Sequence, residues 1–116
     1  MSRPRILVVD DEPGMLRVIE RILSNRYDVR AVRLPTAALD AASGGGFDVA
    51  ILDVRLRDGE EIWPVADALA DAGLPFVLAT GGHVEPPPER HAGAPVLAKP
   101  YTIDAIEPVL ARALGH

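Results

Sequence analysis

Four short runs of apolar residues mark the chain at positions 6–9, 49–52, 76–79 and 96–98, each too short for a helix and each flanked by polar or breaker residues. Unbroken apolarity over so few residues suits strands of a parallel sheet, which helices cover on both faces. A fifth stretch, 28–33, instead alternates Asp28, Val29, Arg30, Ala31, Val32 and Arg33. That alternation predicts a strand with one wet face, at the sheet edge.

Between these runs apolar residues recur at helical spacing. Met15, Leu16, Val18, Ile19, Ile22 and Leu23 follow Pro13, and their face is expected to pack on the sheet while Arg17, Glu20 and Arg21 point outward. Ala37, Ala38, Leu39, Ala41 and Ala42 follow Pro35, and the triple glycine Gly44-Gly45-Gly46 ends that helix. A third helix over 60–72 carries Ile62, Val65, Ala66 and Leu69, with Pro64 in its first turn or kinking it and Gly73 stopping it. The last helix runs to Leu114, capped by Thr102 or Asp104, with Ile103, Ile106, Val109, Leu110 and Leu114 inward. Pro108 bends it unless the helix begins at Asp104, which would leave that proline in the tolerated first turn. Pro86-Pro87-Pro88 rules out a regular helix before the last strand, leaving a loop with one turn near 89–92.

Strand and helix thus alternate along one α/β domain spanning 1–116. Right-handed crossovers predict a doubly wound parallel sheet of five strands in the order 2-1-3-4-5. The fourth connection is reduced to a Pro-rich loop.

Composition narrows the function. A formal net charge of -5 argues against a nucleic-acid grip, the absence of cysteine removes thiolate chemistry, and no stretch reads as a signal peptide or membrane span. A cytoplasmic setting is expected. Of the twelve cations only Lys99 is lysine, which singles that residue out.

The chemistry lies where the strands stop. The runs end on Asp10-Asp11, Asp53, Thr80 and Lys99, and in a parallel sheet all these ends share one rim, where ligands bind. Three carboxylates gathered there repel one another, and a divalent cation relieves the repulsion; Mg2+ is expected, taking carboxylate oxygens and a carbonyl from the loop after Asp53. Lys99 would neutralise a phosphoryl oxygen, Thr80 would donate its hydroxyl to another, and Asp53 would be the nucleophile.

With the acid pair, the lone Asp, the Thr and the Lys99-Pro100 pair in this order, the chain resembles the receiver domains of response regulators, the phosphoacceptors of two-component signalling, over essentially its whole length. That family has a flavodoxin-like fold. The resemblance implies that Asp11 and Asp53 bind Mg2+ directly, Asp10 through water or charge, and the backbone carbonyl of Arg55 completes the protein's share. It also implies that Asp53 takes a phosphoryl group from the phosphohistidine of a sensor kinase or phosphotransfer protein, that Thr80 shifts toward it, and that Lys99 completes the site. Such a protein is no enzyme beyond its own phosphotransfer and dephosphorylation.

Several positions depart from the family pattern. Val96 stands where the switch aromatic usually lies, three residues before the Lys, and the Pro-rich segment replaces most of the family's fourth helix, part of its common dimer face; a monomer or weak dimer is expected. The loop from Asp53 to Gly59 is short. Arg55, two past the nucleophile, occupies a position that influences acyl-phosphate lifetime. Leu78-Ala79-Thr80-Gly81-Gly82 is similar to the Phe-Ala-Thr-Gly segment of stand-alone receivers, which also lack the switch aromatic, with Leu for Phe. The chain ends right after its last helix, so a single-domain regulator that switches a protein contact or relays phosphate is expected.

Other classes fit less well. A Mg2+ phosphohydrolase would want an acid where Arg55 stands, and a nucleotide or flavin carrier would want a Gly-rich loop where Asp10-Asp11-Glu12-Pro13 stands. A receiver-like binding module that is never phosphorylated is the remaining alternative. His83 and His91 flank the Pro-rich loop without a Cys partner, a weak basis for a metal; Trp63 and Tyr101 read as packing aromatics, with a partner surface as the other reading of Tyr101.

Overall fold

The computed structural model describes residues 3–54, 62–80, 88–98 and 102–114. Strand β1 (Arg5–Val9) is followed by α1 (Pro13–Leu23), β2 (Asp28–Val32), α2 (Pro35–Ser43), β3 (Val49–Asp53), α3 (Trp63–Asp71), β4 (Phe76–Thr80), a 3-10 turn (Glu89–His91), β5 (Val96–Ala98) and α4 (Ile103–Ala113). The strands form one parallel sheet in the order β2-β1-β3-β4-β5. This is the doubly wound arrangement that the apolar runs predict. No described helix is long and apolar enough to cross a membrane.

Strand alternation splits the core into two layers. Ile6, Val8, Ile51 and Val77 face α1 and α4, where Leu16, Ile19, Leu23, Ile106 and Leu110 meet them. Leu7, Val9, Leu52 and Leu78 face α2 and α3, against Ala38, Val65, Ala66 and Leu69. β3 is buried at every position, as a central strand covered on both sides must be. Both edge strands expose side chains: β2 is only partly buried, and Val96 on β5 keeps 56% of its surface.

One local expectation changes and two alternatives left open by the sequence are resolved. Val18 is 45% exposed rather than facing the sheet, because the α1 stripe that reaches the core runs through Leu16, Ile19 and Leu23 and turns Val18 toward solvent. The last helix begins at Ile103, capped by Thr102, whose hydroxyl accepts the Ala105 N–H at 3.2 Å; Asp104 is its second residue and Pro108 lies inside it. Pro108 is exposed, and the lost bond falls on the carbonyl of Asp104 in an exposed turn, where water can take its place. Helix α3 is described from Trp63, so Pro64 occupies its tolerated first turn and does not kink it.

The described part of the β4–β5 connection, residues 88–95, holds a single 3-10 turn clamped onto α3. His91 is buried, its ring stacked on Trp63 at 6.0 Å and 12° and edge-on to Phe76 at 5.3 Å, with Nε2 2.7 Å from Asp67 Oδ1. Its neighbour Arg90 pairs with Asp71 and, at 3.5 Å, with Asp67. The hydrogen bond to Asp71 and then that carboxylate's charge hold the Arg90 guanidinium above its ordinary range. His91→Ala, which removes both ring contacts, is expected to cost about 2 kcal/mol in urea unfolding. A change under about 0.5 kcal/mol would place the mutation among neutral surface changes and refute the clamp.

Candidate phosphoacceptor site

The candidate residues are delivered by the carboxyl ends of the central strands. Asp10 directly follows β1, and its N–H donates to the Val32 carbonyl at 3.1 Å, extending the β1–β2 ladder by one bond. Its own Oδ1 accepts the Glu12 N–H at 2.9 Å, which turns the chain sharply and leads Glu12-Pro13 into α1. Asp53 is the last residue of β3 and pairs in register with Ala79 of β4. The next N–H, of Val54, donates to the Ala79 carbonyl at 3.0 Å, so the backbone on both sides of Asp53 is held by the sheet. Sites on rigid elements keep their geometry better than sites on loops.

Asp10 and Asp53 are 1% and 3% exposed, while Asp11 is half-buried at the mouth. Each offers a carboxylate oxygen, and the three oxygens lie within 4.8 Å of one another. Oxygens this close are within reach of one octahedral ion, directly or through one of its waters. The donor set is all hard oxygen and carries three formal negative charges when ionised. It fits a divalent cation of the Mg2+ type far better than a soft metal.

Thr80 closes β4, one residue beyond the register partner of Asp53, and is half-buried at the same rim. It pairs across the sheet with Ala98, the residue before Lys99. The structure therefore brings Asp10, Asp11 and Asp53 together, with Thr80 on the neighbouring strand end. Lys99 and Arg55 lie outside the described residues, as do Tyr101 and His83. His91 does not join the acidic group: it is taken up by Asp67, Trp63 and Phe76, which removes the basis for a metal at that histidine.

Comparison with known proteins follows the same lines. No family model matches the chain. Its sequence is 37% identical over 60 residues to the response regulator protein PilR of Pseudomonas aeruginosa, a stretch that is 51% of this chain and 14% of that relative's length. Among solved structures, SdrG from Sphingomonas melonis Fr1 is 43% identical, aligns over 98% of this chain and 99% of its own, and superposes with a TM-score of 0.84. The BeF3-activated conformation of SdrG, from Pseudomonas melonis Fr1, gives a TM-score of 0.81 at the same identity. A response regulator receiver protein from Sinorhizobium medicae WSM419 is 25% identical over 97% of this chain and 94% of its own, with a TM-score of 0.80. With a relative 43% identical over nearly the whole of both chains and a receiver protein superposing over the same length, the chain belongs to the receiver domains of response regulators.

Proposed function

We propose that the domain is a Mg2+-dependent phosphoacceptor in which Asp53 takes a phosphoryl group from the phosphohistidine of a sensor kinase or histidine phosphotransfer protein. The observation that carries this reading is the buried Asp53 carboxylate at the end of β3, within 4.8 Å of those of Asp10 and Asp11. That a relative 43% identical has a BeF3-activated conformation supports it, since fluoroberyllate resembles a phosphoryl group on a carboxylate.

In this reading Asp11 and Asp53 hold Mg2+ directly, Asp10 acts through water or charge, and the Arg55 carbonyl adds a ligand. When bound, the ion offsets the charge of the phosphoryl oxygens so that an anionic carboxylate can approach phosphorus. A carboxylate oxygen of Asp53 attacks phosphorus, the bond from phosphorus to the imidazole nitrogen breaks, and the leaving imidazole takes up a proton. An acyl phosphate results. The Thr80 hydroxyl donates to one phosphoryl oxygen and Lys99 neutralises another. The chain itself acts on no other substrate; the phosphorylated state is read by a partner protein or relayed onward, in the cytoplasm where such donors are charged.

Intact mass of the protein incubated with Mg2+ and acetyl phosphate tests this, with EDTA as the control. One added phosphoryl group is expected with Mg2+ and none with EDTA. Mg2+ at ten times its dissociation constant is also expected to stabilise the fold by about 1.4 kcal/mol. If acetyl phosphate leaves no adduct and fluoroberyllate with Mg2+ brings no further thermal stabilisation, the domain is not a phosphoacceptor.

A further inference from the structure

The chain leaves the acidic rim twice beside the phosphoacceptor, once after Asp53 and once after Thr80. These two exits are tied together in the sheet: Asp53 pairs in register with Ala79, the residue before Thr80, and the Val54 N–H donates to the Ala79 carbonyl at 3.0 Å. The first path is described again from Ile62, which is fully buried and whose carbonyl accepts the N–H groups of Val65 and Ala66 at 3.0 Å, opening α3. The second is described again from Pro88, whose carbonyl accepts the His91 N–H at 2.8 Å. Where the two paths reappear, they touch.

Trp63, the residue after Ile62, carries the His91 ring in a nearly parallel stack at 6.0 Å and 12°. One helical turn on, Asp67 holds the same ring through Nε2 at 2.7 Å, and Phe76 meets it edge-on from the first residue of β4. The histidine is 3% exposed, so the contact is a built one and not a passing surface encounter. Two paths that start from neighbouring strand ends therefore finish on one another, closing a circuit through Asp53, Trp63, His91 and Thr80. Among the described residues the acidic group is Asp10, Asp11 and Asp53 alone, so the stack reaches the site only through the chain. In a circuit closed at both ends, a displacement at one closure is taken up at the other or in the chain between. A ring pair that served stability alone could sit anywhere along α3; this one falls on its first turn, next to the chain arriving from Asp53.

We propose that His91 is a positioning residue for the phosphoacceptor: by holding Trp63 it fixes where the chains from Asp53 and Thr80 return, and so preorganises the site for a phosphoryl group and its metal ion. The inference rests on the phosphoacceptor reading of Asp53. Binding to a site whose approaches are already fixed loses less conformational freedom than binding to one that must first be ordered. The relation is reciprocal: a stack that favours the ligand is favoured by it in equal measure. Trp63 is the only tryptophan of the chain, so tryptophan fluorescence reads this one contact.

The test measures the affinity of fluoroberyllate with Mg2+ by fluorine NMR of the bound species, on the full chain at a temperature where circular dichroism shows every variant folded. His91→Ala is expected to weaken it on the order of fivefold, the lower end of coupling between distinct sites. His91→Phe, which keeps a ring between Trp63 and Phe76, is expected to stay within about twofold of the wild type. Ile106→Val, which loosens the opposite layer of the core, separates positioning from stability and is expected to leave the affinity unchanged. In the wild-type protein Trp63 emission is expected to follow the same titration to saturation, and in His91→Ala to lose that response. The inference is overturned if His91→Ala binds as tightly as the wild type, if His91→Phe falls as far as His91→Ala, or if Ile106→Val weakens binding equally. It is overturned too if Trp63 emission ignores a ligand that NMR shows bound, or responds as fully in His91→Ala. A wild-type protein that binds no fluoroberyllate and takes no phosphoryl group from acetyl phosphate would remove the phosphoacceptor reading and this inference with it, an outcome distinct from the others because it needs no variant.

Discussion

Asp53→Asn is expected to take up no phosphoryl group from acetyl phosphate under conditions that label the wild-type protein fully. The substitution is nearly isosteric and leaves the backbone bonds around the residue intact, since Val54 N–H still reaches the Ala79 carbonyl and β3 still pairs with β4. What it removes is the anionic oxygen. A neutral amide is a poor nucleophile toward phosphorus, and the cluster with Asp10 and Asp11 loses one of its three charges. Intact mass before and after the donor reads the first effect, and thermal shift against Mg2+ concentration reads the second as a weaker, right-shifted response. A single labelled carboxylate that persists in the variant would move the acceptor elsewhere and remove Asp53 from its role.

The largest loss of stability is expected from Leu52→Ala. Leu52 is fully buried, lies opposite Val9 on one side and Leu78 on the other, and packs in the layer that includes Val65, Ala66 and Leu69. Three strands and a helix converge there, so the surroundings have little freedom to collapse into the space. Truncation of such a leucine costs about 3 to 5 kcal/mol, a large share of the stability of a domain this size. Urea unfolding followed by circular dichroism measures it, with the midpoint falling at constant slope. A cost under about 1 kcal/mol would mean that the α3 side of the core is loosely packed, and the description of this layer would fail.

Much of this was legible in the chain because of one property of parallel sheets. A strand covered on both faces shows as a short apolar run, and the residue at which the run stops is the residue at the functional rim. That is why Asp10, Asp53 and Thr80 could be placed on one edge from 6–9, 49–52 and 76–79 alone. The helices were harder at their margins. Six apolar residues between Met15 and Leu23 overfill one face, and at about 100° per residue the stripe through Leu16, Ile19 and Leu23 leaves Val18 about 200° from Leu16, so only once that stripe is known to be the buried one is Val18 seen to lie outside. Whether Thr102 or Asp104 caps the last helix depends on which side chain reaches an N–H, and both types cap well. His91 was the least legible. Its burial depends on Trp63, Asp67 and Phe76, up to 28 residues away, and no local pattern around three prolines announces it.

That histidine also bears on the order in which the molecule is put together. The bond from His91 to Asp67 joins residues 24 apart, and it can form only once α3 has a surface to present. Until then the whole stretch from Thr80 to Val96 is one open loop, and the short strand β5 has no anchor on its amino side. Closing the loop at His91 divides it and leaves only a few residues to span before Val96, which lowers the entropy lost when β5 joins the sheet. The His91 contact therefore shortens the loop that must close for β5 to pair with β4.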